Sequence, residues 1–110
     1  DNGAKIMALS PFAFETITVS TTVLSLTSSV YVPTGGRPAE LAIITPDDTL
    51  GNNLRYWPSA TNPSAGADQG HLWATGRIPR IILFGIRNIE NFRIVRDGAA
   101  DVVISISYYD

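Results

Sequence analysis

A chain of 110 residues with no cysteine has room for one domain and cannot rely on disulfides or thiolate metal sites to hold it together. Ten acidic against eight basic residues give a formal charge of -2, so no global positive field draws it to nucleic acid or an anionic membrane. Charged residues make up only 16%, and seven of the eight bases are arginine, with Lys5 the exception. Since interfaces enrich arginine and deplete lysine, a surface partly covered by other subunits is expected.

The opening DNGAKIMALSPF lacks the basic stretch and sustained apolar core of a signal peptide. Asp1 is no natural initiator, so Asp1 to Ile6 reads as added, processed or part of a longer chain, with Met7 a candidate start. Residues 1–11 are taken as an N-terminal arm and 12–110 as one domain. The longest apolar run, Ile81 to Phe84 with Ile86 beyond Gly85, is strand-sized and far short of the roughly 20 residues of a membrane helix.

Phe12 to Ser20 is rich in β-branched and aromatic residues, with Ile17 and Val19 on one side and Phe14, Thr16 and Thr18 on the other. Thr21 to Thr27 continues the β tendency; a turn near Ser20 to Thr22 could split the two, which the period alone does not decide. Tyr31 to Pro38 carries two prolines and Gly35-Gly36, so it is a connection. Ala39 to Thr45, bracketed by Pro38 and Pro46, reads as a strand. Asp47 to Asn53 is dense in turn formers, and Leu54 to Trp57 is a short strand expected to pair with the preceding one. Pro58 to Gly70 forms a long loop of small and polar residues, of a length that is usually functional. His71 to Thr75, Pro79 to Gly85 and Phe92 to Arg96 follow as strands. The closing Val102 to Tyr109 alternates Val102, Ile104, Ile106 and Tyr108 against Val103, Ser105, Ser107 and Tyr109. Asp97-Gly98 suits a tight reversal, so the last two strands are expected to form a hairpin.

With no ten-residue segment holding a 3.6-residue apolar period, the reading is all-β. It is a single antiparallel β-sandwich, jelly-roll or Ig-like, of about seven to eight short strands with little or no helix. The expected core is Ile17, Val19, Leu41, Ile43, Ile82, Phe84, Phe92, Ile94, Val102, Ile104 and Ile106.

Motifs that carry chemistry are sparse. Neither G-x-S-x-G nor H-E-x-x-H occurs, and His71, the one histidine, would need an acid and a nucleophile beside it. The carboxylates, Glu15, Glu40, Glu90 and seven aspartates, show no pairing suited to hydrolysis. Asp47, Asp48, Asn52 and Asn53 supply oxygens of the kind calcium takes, though not at EF-hand spacing, and such residues are also ordinary turn formers. Gly35-Gly36 lacks the strand-to-helix setting of a phosphate loop. No cofactor, metal site or catalytic residue is assigned. Aromatics and arginines stand out instead: Tyr56, Trp57 and Trp73 flank the long loop, Arg55, Arg77 and Arg80 lie nearby, and Tyr108 with Tyr109 ends the chain. These eight form a candidate interface. For Trp57 and Trp73 the competing readings are caps on the core beneath the loop or, with Tyr56, a platform for a sugar ring.

Three segments then carry a resemblance: RPAELAIIT (Arg37 to Thr45), LRYW with a later Thr-Asn-Pro-Ser and Gly-His-Leu (Leu54 to Leu72), and FGIRNIENFRIVRDGAADVVISISYY (Phe84 to Tyr109). Together they resemble a group of small virion-associated proteins of tailed bacteriophages, over roughly two-thirds of the chain. The shared motifs are turn and strand signatures without a catalytic residue. Pro58-Ser59-Ala60 and the segment before Gly70 depart from the pattern. The resemblance implies a non-enzymatic structural protein of the virion that decorates or joins capsid, collar or tail components. Its partners would be copies of itself or other virion proteins, with no nucleic acid or membrane. The alternative is a carbohydrate-binding β-sandwich module for host attachment, with a glycan as ligand.

Overall fold

The alternating C-terminal run becomes a central strand, hydrogen-bonded on both sides. In the computed structural model, which describes residues 9–47, 52–57, 63, 70–98 and 100–110, the strands run in chain order as follows. They are β1 (Pro11–Val19), β2 (Leu24–Ser25), β3 (Leu41–Pro46), β4 (Leu54–Trp57), β5 (His71–Trp73), β6 (Ile81–Phe84), β7 (Arg93–Arg96) and β8 (Val102–Tyr109). Two short helices interrupt them, α1 (Ser28–Tyr31) and α2 (Ile86–Asn91). The first sheet has the order β1-β8-β3-β6 and the second β2-β7-β4-β5, and every neighbouring pair is antiparallel.

First strand pairs with last, second with seventh, third with sixth and fourth with fifth. The chain is therefore one long ribbon of paired strands rolled into two sheets, which is the jelly-roll order and selects between the two sandwich topologies expected. The structure decides the open question near Ser20: β1 leaves the first sheet there and β2 enters the second, with Arg96 N–H donating to Ser20 O at 3.0 Å.

The core lies between the sheets. Val102, Ile104, Ile106 and Tyr108 all point inward and are buried, as are Val19, Ile44, Leu54, Trp73, Leu83, Ile89, Phe92 and Ile94. Tyr108 is accommodated because its neighbours in the register on both sides are alanines, Ala13 on β1 and Ala42 on β3. That pairing sets the phase of β3, and through it β6. Ala42, Ile44 and Leu83 face inward, while Leu41 and Ile43 are half-exposed and Ile82 and Phe84 lie outside, contrary to the expected core. Composition carries no phase in Ile81-Ile82-Leu83-Phe84, where both faces are apolar, so only the partner strand decides it.

Two expected pairings also differ. β7 and β8 form no hairpin, because Asp97 N–H and Gly98 N–H both donate to Asn53 O, at 2.9 and 3.2 Å, and the chain crosses between sheets there. β4 pairs with β5 and β7 rather than with the strand before it. Arg87 to Asn91, which by sequence merely bridges to the strand that follows, winds with Ile86 into α2. Gly85, at a φ of 86° that favours glycine, turns the chain out of β6, Asn88 Nδ2 donates to Phe84 O at 2.7 Å, and Ile89 is driven into the core.

Candidate functional site

The outer face of the first sheet is built from the alternate residues of its four strands: Phe14, Thr16 and Thr18 on β1; Val103, Ser105, Ser107 and Tyr109 on β8; Leu41, Ile43 and Thr45 on β3; Ile82 and Phe84 on β6. Cross-strand register lines up Phe14, Ser107, Ile43 and Ile82 in one row, and Tyr109, Leu41 and Phe84 in the next. None of these side chains is charged. Phe14 is 70% and Phe84 69% exposed, on opposite edge strands, and Ile82 is exposed beside Phe84. A fully exposed aromatic forgoes roughly 1.5–3 kcal/mol of burial, so two on one face point to a surface that something covers.

The face has relief. Ser105 and Ser107 are short residues on a central strand, so they form the floor of a depression of about 290 Å³, with Phe14 and Thr16 on one bank and Ile43 and Thr45 on the other. The Ser107 hydroxyl donates to Tyr109 Oη at 3.3 Å, so part of the floor's hydrogen bonding is met internally. The outer face of the second sheet differs. There Arg55 Nε donates to Asp97 Oδ1 at 3.1 Å, and Arg93 lies beside Trp57 in the register.

The eight residues singled out from sequence do not converge on one place. Trp73 is buried and its indole N–H donates to Ile78 O at 2.9 Å, so it is a core side chain, as is Tyr108. Arg55 is engaged in the Asp97 ion pair and donates through Nη1 to Gly70 O at 3.2 Å. Tyr56 packs on Phe92 with ring centroids 5.7 Å apart and on His71 at 5.4 Å. Trp57 meets His71 edge-on at 5.0 Å. A second depression, about 270 Å³, runs between Tyr56 and His71 on one side and Ile81, Ile82, Leu83, Phe84 and Asn88 on the other. Arg77 and Arg80 are exposed in the connection from β5 to β6. Arg77 borders an open dish with Asn53, Leu72, Ala74 and Gly76. Tyr109 alone of the eight belongs to the uncharged face. Three aromatics on one exposed platform, Tyr56, Trp57 and Trp73, do not form. Of the loop 58–70 only Pro63 and Gly70 are among the described residues, and of the oxygen-rich set near the third strand Asp48 lies outside them. Among the described residues no three His, Asp or Glu side chains come close enough to hold a metal ion.

One polar group was missed from sequence. Glu15 sits on the inward side of β1, in phase with Ala13, Ile17 and Val19. Its Oε2 accepts from the Tyr108 hydroxyl at 2.5 Å and from Thr27 N–H at 3.2 Å, and its Oε1 accepts from Thr27 Oγ1 at 2.6 Å. The carboxylate thereby ties β1, β8 and the start of α1. Burial first, then the hydrogen bond to Glu15 and its charge, pushes the Tyr108 phenol far above the usual tyrosine range. Tyr31, whose ring lies 5.8 Å from that of Tyr108, is raised as well, by burial and then by Glu90. The signal that could have found Glu15 was its parity on β1, which places it among inward residues.

Comparison with protein-family models, with curated proteins and with solved structures returns no match.

Proposed function

We propose that this chain is a non-enzymatic structural protein of a tailed-phage particle, working by protein–protein contact. The observation that carries the reading is the uncharged outer face of the first sheet, with Phe14 and Phe84 standing in solvent on a chain of net charge -2. Ordinary soluble domains seldom leave such a face open. The resemblance of Arg37 to Thr45 and Phe84 to Tyr109 to small virion proteins supplies the setting. The jelly-roll order agrees with it by analogy of fold, since that architecture serves both viral shells and lectins. Protein contact is preferred to glycan binding because Trp73 lies in the core, and Tyr56 and Trp57 meet His71 tilted and edge-on instead of presenting a flat platform.

The test is location. Particles banded by density gradient from the source culture and probed with an antibody against the chain should carry it at a fixed ratio to their main shell protein, after washing in high salt. A chain found only in the unbanded fraction would reject the proposal. A glycan screen of the full chain is expected to stay blank.

A further inference from the structure

We propose that the uncharged face of the first sheet is the contact between two copies of this chain. They pack face to face about a two-fold axis, with Phe14 of each copy seated in the Ser105–Ser107 trough of the other. The inference rests on the protein-contact reading above and names its partner.

Charge gives the first argument. A different protein is usually selected by a complementary pattern of charges, and the twelve outward residues of this face offer none. A second copy brings the same neutral surface, so the pair meets without repulsion and buries no unpaired ion. An isologous contact requires one patch to fit itself. The opposite face of the molecule, with Arg55, Asp97 and Arg93, would set like charges against each other in the same arrangement.

Relief gives the second. Phe14 is the most exposed large apolar residue described, and it stands one strand away from the trough floored by Ser105 and Ser107. A projection and an adjoining depression of about 290 Å³ on one face are the two halves of a self-complementary fit, because the two-fold brings each opposite the other. Two stacked sheets sit about 10 Å apart with interdigitating side chains, which suits a phenyl ring entering between Phe14-side and Ile43-side banks.

Area gives the third. Strands about 4.8 Å apart and residues about 3.3 Å apart give the four strands, of nine, eight, six and four residues, a patch of about 430 Å² per copy. The pair then buries about 860 Å², the size of a weak, concentration-dependent association.

The measurement is sedimentation velocity of the full chain from about 5 µM to 1 mM, the range that a small interface demands. The wild-type chain should shift from the 11.9 kDa species to twice that mass. Phe14→Asp, at a position too exposed to be needed for folding, should weaken association by about 100-fold or more, with its far-UV spectrum and melting curve unchanged. Leu72→Asp, exposed on the second sheet, should leave association as it was. Mixing Phe14→Asp with Ser107→Lys chains should restore pairing between unlike copies, since the new charges would meet across the two-fold. A wild-type chain that stays single at 1 mM overturns the proposal. So does a Phe14→Asp chain that still pairs, and a mixture that fails to recover overturns the seating of Phe14. None of these results bears on whether the chain is found on particles, so loss of the dimer and loss of the virion reading are separately visible.

Discussion

Tyr108 shows how one side chain can be placed by its smallest neighbours and then fixed by a distant acid. Ala13 and Ala42 leave room for the ring, and Glu15 accepts a hydrogen bond from its hydroxyl. Removing the hydroxyl leaves the carboxylate with Thr27 alone, so Tyr108→Phe should cost about 1.5–3 kcal/mol of unfolding free energy, the range for a hydrogen bond to a charged group. Urea melts of the two proteins measure it directly. The same phenol makes stability depend on alkali. Its folded-state value lies above the ~10 of an unfolded tyrosine, so the native state favours the neutral form. The stabilisation is complete below about pH 10 and is lost as pH rises past it, because only the unfolded chain releases the proton. Melting temperatures recorded from pH 8 to 11.5 should fall above pH 10, and Tyr108→Phe should fall less steeply. Arg55 offers a second case. Its guanidinium joins Asp97 to Gly70 O from mostly buried positions, so Arg55→Ala should destabilise by about 1–3 kcal/mol, less than for a fully enclosed pair. Thermal denaturation would register that loss.

Among the elements, legibility followed alternation. β8 was readable because its two faces differ in composition, and β1 because Ile17 and Val19 oppose Thr16 and Thr18. β6 was not, since Ile81, Ile82, Leu83 and Phe84 are apolar on both faces and only pairing with β3 turns Phe84 outward. The same ambiguity hides the candidate surface, since Leu41, Ile43, Ile82 and Phe84 read as core residues in the sequence and face outward in the sheet. Trp73 and Trp57 look alike in sequence, yet the Ile78 carbonyl that receives the Trp73 indole sits in a connection that no local pattern announces. At Asp97-Gly98 the chain bends toward the other sheet and does not reverse into the hairpin expected there. Its destination depended on Asn53, far away in the chain. At the start of β5, Gly70 has a φ of 114°, and a Cβ there would lie 2.8 Å from Pro63 Cβ and 3.2 Å from Tyr56 O. Gly70→Ala thus combines strain with a clash against backbone, and should lower stability by about 1–3 kcal/mol. A melting curve unchanged by that substitution would contradict the geometry.

At the level of the whole molecule, the sheets share one core and no strand pair stands apart from it. Val19 and Val102 close one end of the first sheet, while Leu54, Trp73 and Ile94 bring the second sheet to the same interior. Unfolding should therefore be a single cooperative step. Tryptophan fluorescence, which reports β4 and β5, and far-UV dichroism, which reports both sheets, should give coincident urea transitions. Two separated midpoints would mean that the sheets come apart independently.

The position of β8 between β1 and β3 has a consequence for synthesis. A ribosome delivers β1 first and β8 last, yet neither β1 nor the inner edge of β3 has a hydrogen-bonding partner in the first sheet until β8 emerges. Until then β1, which bears Phe14, has no partner and β3 is paired on one side only, with β6, although all four strands of the second sheet precede β8 in the chain. Closure of the first sheet thus waits for β8 and is governed by contacts between strands far apart in sequence. Its yield in a cell depends on how well those early strands are kept from neighbouring nascent chains in the interval.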